Sequence, residues 1–285
     1  MKSDQPDWQA RLRHFQARLK ATLHELTGPF AAFFAQKQVK AAIEWLKEPV
    51  YAVALMFALT TIIAQPFYVP SGSMEPTLAI GDAVLAAKFP YGYTRFSIPD
   101  PFGHGGPTPT TRFFGSDPEV GDVVVFRLPA KTSVTFVKRV IGLPGDRIQM
   151  IQGRLWINGH ELPLAPAGMA ENEDGNGYFT QMPIFTETLP NGRKHIVFKK
   201  QWDGVMDNTG VYVVPPGHLF MMGDNRDDSC DSRYPVDVCG VGYVPEANLV
   251  GRAFIVIGSV DFKNAAGLWE WPFQFRFSRI LNRVR

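Results

Sequence analysis

Two hydroxyls sit one residue apart in the run Val69-Pro70-Ser71-Gly72-Ser73-Met74-Glu75-Pro76-Thr77-Leu78. Pro70 and Gly72 favour a tight turn, because proline presets its own backbone and glycine admits angles that other residues resist. A serine in such a turn is a weak nucleophile until a base takes its proton. A base other than histidine is on offer downstream, in Thr135-Phe136-Val137-Lys138-Arg139-Val140-Ile141-Gly142-Leu143-Pro144-Gly145-Asp146. A free lysine has a pKa of ~10.4 and at pH 8 is almost wholly protonated. Burial among apolar neighbours such as Phe136, Val137, Val140 and Ile141 depresses that value, in extreme cases to about 5–6. Taken singly, a Ser-Gly turn is most often only a turn, and a lysine is most often a solvated surface group. Together they suggest acyl transfer by a Ser/Lys pair. If the second run is a strand, Arg139 alternates to the opposite face from Lys138 and has a structural role.

The serine turn follows directly on the segment that must place it. From Pro49 to Met74 no residue is charged, and the apolar core Val50–Val69 is long enough to cross ~30 Å of hydrocarbon as a helix. Nearly fifty residues precede this core, too many for the usual head of a cleaved secretory signal, so an uncleaved anchor over 49–69 is expected. Residues 1–48 carry eight Lys or Arg against five Asp or Glu. They read as an amphipathic segment on a membrane surface or as a basic tail with some helix. The basic side precedes the anchor, which puts the N-terminus in the cytoplasm and 70–285 outside.

Beyond the anchor the pattern turns to short β-type runs between turn signals: 83–86, 121–126, 136–141, 148–151, 155–157, 211–214 and 254–257, with Asn158-Gly159 as a two-residue hairpin turn. The expected fold is mainly β: an antiparallel sheet domain preceded by one transmembrane helix, with a smaller lobe inserted at about 160–210. Residues 91–118 read as a long surface loop. The tail 268–277, where aromatics interleave with arginine, reads equally as a membrane-facing surface or as a closing strand. A formal charge of +2 gives no argument for nucleic acid binding. The six histidines show no metal-ligand spacing, and Asp224, Asp227 and Asp228 lack the glycine and terminal glutamate of a calcium loop. No metal or cofactor is expected. Cys230 and Cys239 form a disulfide or remain two free thiols.

Four blocks in this order resemble the type I signal peptidases: Pro70–Met74 with Pro76-Thr77-Leu78, Gly121–Phe126, Phe136–Asp146 and Gly223–Arg233. The resemblance implies Ser73 as nucleophile and Lys138 as general base. It implies an oxyanion hole from the Ser71 hydroxyl and the Ser73 backbone N–H, and Ser229 as the residue that orients the lysine. Asp231 and Arg233 would be a supporting ion pair. Val69, Met74, Leu78, Phe136 and Val137 bracket the pair and would line shallow apolar pockets for small residues at −1 and −3 of the cleavage site. The substrate strand would add beside Asp82–Leu85 and Phe136. The expected protein is therefore a membrane-anchored serine endopeptidase of the bacterial inner membrane that removes signal peptides from exported preproteins and touches membrane lipid. The rivals are a specialised Ser/Lys peptidase of conjugation or pilus processing, and a non-enzymatic anchored β module. The β-lactamase class is disfavoured, since neither Ser-x-x-Lys nor Lys-Thr-Gly occurs.

Overall fold

A computed structural model describes residues 13–22, 37–98, 111–173, 179–261 and 274–285. The chain divides into two compact units, Met1–Met56 and Phe57–Arg285. Residues 13–22 form a helix, α1, whose side chains are all exposed. A second helix, α2, runs Lys37–Ile62, and its stretch Val39–Ile62 is long and apolar enough to cross a membrane.

This helix starts and stops earlier than the expected 49–69. Its end has a local cause. Pro66 has no N–H to bond back to Ile62 O, and it pushes the residue before it, Gln65, towards extended angles, so the chain leaves the helix here although the same helix accommodates Pro49 in its interior. The apolar residues that complete the hydropathy peak therefore become a strand, β1 (Ala64–Tyr68), paired antiparallel with β2 (Asp82–Ala87). Proline is tolerated there because β1 is the edge of its sheet.

The main sheet is antiparallel and seven-stranded, in the order β1-β2-β14-β3-β4-β12-β13, where β3 is Val123–Leu128, β4 Lys131–Gly142, β12 His218–Met222, β13 Val244–Pro245 and β14 Leu249–Ser259. The valines of β3 alternate between two apolar clusters. Val123 and Val125 join Val69, Met74, Leu78 and Val84, while Val124 and Phe126 join Val140, Leu219 and Met221. β4 pairs with β3 along its length, with Val124 opposite Lys138 and Val123 opposite Arg139. On its other side β12 reaches only Arg139 to Gly142. Among the described residues the outer edge of β4 before Arg139 has no partner strand.

Two smaller sheets complete the unit. β5 (Arg147–Ile151), β6 (Arg154–Ile157), β7 (His160–Glu161) and β11 (Tyr212–Val213) form a four-stranded sheet. Asn158-Gly159 makes the expected two-residue turn between β6 and β7, with φ of 54° and 82°. Gln152-Gly153 makes an equivalent one between β5 and β6. The inserted lobe is a three-stranded sheet of β8 (Leu164–Glu173), β9 (Phe179–Thr188) and β10 (Lys194–Phe198), narrower than the expected 160–210.

Two other expectations change. In the stretch 91–118, read as a surface loop, Tyr91 and Phe96 are fully buried and Tyr93 bridges to Phe113, while 99–110 lie outside the described residues. Of the tail, 274–285 runs back along β14 through Val256 N–H to Asn282 O (2.9 Å) and Leu281 N–H to Val256 O (2.8 Å). These residues make isolated bridges, Phe275 to Val260 and Arg283 to Ile255, and a 3-10 turn at Phe277–Arg279 in place of a strand; 268–273 lie outside the described residues.

Candidate active site

Ser73 sits in a single 3-10 turn, Gly72–Met74, closed by the Glu75 N–H donating to Gly72 O at 3.0 Å. Val69, Met74 and Leu78 drop into the core on either side and hold the turn at the sheet surface. Lys138 arrives from β4, and its Nζ donates to Ser73 Oγ at 2.5 Å. The lysine is 1% exposed. Burial, the largest influence, pulls its pKa down to about 8; the Asp231 carboxylate resists this, the Arg233 guanidinium reinforces it, and the Asp224 carboxylate again resists. The Phe136 ring centroid lies 6.0 Å from Nζ. Lys138 can therefore shed its proton near neutral pH beside a hydroxyl that has one to give. Ser71 Oγ lies 3.5 Å from Ser73 Oγ.

Ser229 behaves differently from expectation. It is buried next to the nucleophile turn, but among the described residues its Oγ has no hydrogen-bond partner, so the expected bond to Lys138 is not formed. It packs against Gly223, where an added Cβ would stand 2.2 Å from Ser229 Oγ and 2.4 Å from Ser73 O.

A cleft of about 500 Å³ opens over the pair. Of the five expected lining residues it takes in Val69, Met74, Phe136 and Val137, and it adds Tyr68 and Cys230. Leu78 is corrected: it is fully buried in the core and does not reach the cleft. The expected docking edge is corrected too. Asp82–Leu85 is hydrogen-bonded by β1 on one side and β14 on the other, which leaves no free ladder for a peptide. The segments that border the cleft are Phe67–Ser71 and Val134–Lys138.

Arg139 and Arg233 are both buried and both paired with a buried aspartate. Arg139 points away from Lys138 and takes Asp224 in a bidentate pair at 2.8 and 2.6 Å, with a further bond to Gly121 O at 2.8 Å. Arg233 grips Asp231 at 2.9 and 2.8 Å, and Asp231 also accepts from the Gly223 N–H. Asp224 is thus consumed by Arg139 and by the Thr77 hydroxyl at 2.5 Å. Cys230 and Cys239 form a disulfide. Among the described residues no group of three or more His, Cys, Asp or Glu side chains is placed to hold a metal ion.

Asn225 is a residue whose role the sequence does not single out. It lies inside the Gly223–Arg233 block, fully buried, and donates to the carbonyls of Gly72 and Ser73, one in the peptide before the nucleophile and one in the peptide after it. Only its membership of that block hints at a role.

Comparison with known proteins gives the family. The family described as "Signal peptidase, peptidase S26" matches residues 42–258. Signal peptidase I of Rickettsia typhi is 39% identical over 209 residues, 71% of this chain and 75% of its own. That of Rickettsia canadensis is 38% identical over 218 residues, 74% of this chain and 78% of its own. A crystal structure of a signal peptidase I from Enterococcus faecalis covers 48% of this chain and 97% of its own at 25% identity, with a TM-score of 0.28, a superposition too partial for comparing positions.

Proposed function

The chain belongs to the signal peptidase (peptidase S26) family and is a serine endopeptidase that removes signal peptides; we propose that it does so with Ser73 as nucleophile and Lys138 as general base. Neutral Lys138 takes the Ser73 proton as Oγ attacks the scissile carbonyl. The tetrahedral oxyanion is met by the Ser73 backbone N–H and the Ser71 hydroxyl. Lys138 returns its proton to the leaving amine, and an ester remains on Ser73. A water activated by the same lysine then attacks that ester and frees the enzyme. The observation that carries this reading is the 2.5 Å contact between Nζ and Oγ around a buried lysine.

The substrate lies extended between Phe67–Ser71 and Val134–Lys138, adding backbone hydrogen bonds that do not depend on sequence. The apolar walls of Val69, Met74, Phe136 and Val137 admit only small residues at −1 and −3. α2 anchors the chain once in the bacterial inner membrane, with the N-terminus cytoplasmic and the sheet domain outside, among lipid headgroups.

The test is cleavage of a preprotein carrying an Ala-x-Ala site by detergent-solubilised wild type, Ser73→Ala and Lys138→Met. Wild type cuts after the last alanine, and each variant, still folded, loses activity by roughly 10⁴-fold or more. Cleavage that survives in both variants would overturn the assignment. Failure of folded wild type to cut would favour the specialised peptidase.

A further inference from the structure

The oxyanion step asks for a donor held in one direction, and the turn that supplies it is built on glycine. Gly72 has the widest backbone freedom of any residue type, and within the turn the plane of the Gly72–Ser73 peptide is held by the Glu75 N–H bond to Gly72 O at 3.0 Å. That plane is rigid and trans: the Gly72 carbonyl and the Ser73 N–H point in opposite directions, and holding one end sets the other. The Gly72 carbonyl is held. The Asn225 side-chain amide donates to it at 3.2 Å, beside the Glu75 N–H that closes the turn. The Asn225 backbone N–H donates to Ser73 O at 3.2 Å, so the peptide planes before and after the nucleophile are both tied to this one residue.

An asparagine amide can hold a carbonyl only with its nitrogen turned towards it, and that choice is also made in the structure. The Nδ2 of Asn225 donates its second hydrogen to Asn172 Oδ1 at 2.9 Å. Asn172 belongs to β8 of the inserted lobe, and both side chains are almost completely buried. In a flipped Asn225 amide, the side-chain oxygen would face the oxygens of Gly72 and Asn172, with no hydrogen between them.

We infer that Asn225, locked by Asn172 of the inserted lobe, is the positioning residue that aims the Ser73 N–H into the oxyanion hole. The inference rests on the Ser73/Lys138 reading above. The lobe thereby contributes to catalysis at a distance, through one amide pair 53 positions apart in the chain.

The experiment compares full-length wild type with Asn225→Ala, Asn172→Leu and the double variant, each checked for an unchanged thermal midpoint. Removing an oxyanion donor outright costs about 10²- to 10³-fold in kcat, and misdirecting one costs less. Asn225→Ala is therefore expected to lose about 10- to 100-fold in kcat with KM within about twofold. Its affinity for a peptide aldehyde, which forms an oxyanion on Ser73, falls by the same factor, whereas affinity for the cleaved product peptide holds. The pH midpoint of cleavage stays in place, because Lys138 is untouched. Asn172→Leu shows the same pattern with a smaller loss, and the double variant is no worse than Asn225→Ala. If Asn225→Ala folds poorly, Asn172→Leu carries the test alone, since it keeps the Asn225 side chain and removes only the partner that orients its amide. A kcat within twofold of wild type, or equal losses for aldehyde and product peptide, overturns the inference. Ser73→Ala run in parallel separates the two levels: an inactive Ser73→Ala beside an unimpaired Asn225→Ala sinks only the positioning role, and an active Ser73→Ala sinks the dyad beneath it.

Discussion

Lys138 Nζ stands 2.5 Å from Ser73 Oγ across 65 positions of sequence, while the next residue, Arg139, turns to the opposite face of the strand and binds Asp224. Strand alternation thus separates two adjacent cations into a dry site for one and a carboxylate partner for the other. Because the base works only when neutral and its pKa is lowered to about 8, kcat/KM should climb with pH through about 8 and level off above it. At pH 6 it should lie about 100-fold below the plateau. A pH–rate profile checks this, and a profile flat from pH 6 to 9 would contradict it.

The same lysine is expected to cost stability. Between about pH 8 and 10.5 the folded chain has released the Lys138 proton and the unfolded chain still holds it. The unfolded state binds more protons there, so stability rises with pH across that window, and below it the burial cost is present in full. A shift of this size corresponds to about 3 kcal/mol. Lys138→Met should therefore be inactive yet more stable than wild type at pH 7, by up to about 3 kcal/mol, with the gain vanishing towards pH 10.5. Urea unfolding at pH 7 and pH 10 measures it; a destabilised variant at pH 7 would show that the buried charge is well compensated.

Gly223→Ala tests how tightly the last block packs on the nucleophile. Its Cβ would stand 2.4 Å from Ser73 O and 2.2 Å from Ser229 Oγ. The Ser229 hydroxyl can rotate away, but Ser229 Cβ, at 2.5 Å, and the Ser73 carbonyl cannot move without shifting their backbones. Displacing the nucleophile by about 1 Å costs on the order of 10²-fold in rate. The variant should bind product peptide normally and cleave about 100-fold more slowly. Wild-type cleavage would mean that the turn tolerates the shift.

How much of this can be read from the sequence depends on whether a residue's role is local. The serine turn, the strand carrying Lys138 and the Asn158-Gly159 hairpin announce themselves, because each is a short run bounded by its own turn residues. β1 does not, since Ala64–Tyr68 continues the apolar run of the helix and only pairing with β2 makes it a strand; Pro66 is the one legible warning. The lobe strands are obscured by Pro166, Gly168 and Pro183, which read as breakers but fall within an edge strand, β8, and within β9, where β8 shifts register at Gly168. Leu78 and Ser229 lie at the right positions for cleft and base, yet the fold turns one into the core and leaves the other without a hydrogen bond. Orientation of a side chain is a tertiary property, and spacing alone does not encode it.

Asp224 should matter for folding before it matters for chemistry. Burial works to raise its pKa, but the Arg139 guanidinium, with its hydrogen bonds, overcomes this and holds the carboxyl below the usual carboxylate range. The pair's contribution is present above that range and is lost as pH falls through the lowered value. Asp224→Ala leaves Arg139 buried and unpaired and should cost about 3–5 kcal/mol. Replacing both partners together with apolar residues should recover much of this. A single-variant loss below about 1 kcal/mol would mean that water reaches Arg139.

The Cys230–Cys239 disulfide closes a short loop directly after Ser229, and Cys230 forms part of the cleft wall. Cross-linking a loop of this length restricts the unfolded chain by about 2–3 kcal/mol. Its neighbour Asp231, however, is fixed independently by Arg233 and by the Gly223 N–H. The two effects should therefore separate: Cys230→Ser with Cys239→Ser lowers unfolding stability by about 2–3 kcal/mol while kcat on a preprotein stays within a few-fold of wild type. Reductant should reproduce that stability loss in wild type and have no effect on the double variant. A collapse of kcat at unchanged stability would instead make the disulfide part of the catalytic wall, with Asp231 and Arg233 too weak to hold the block without it.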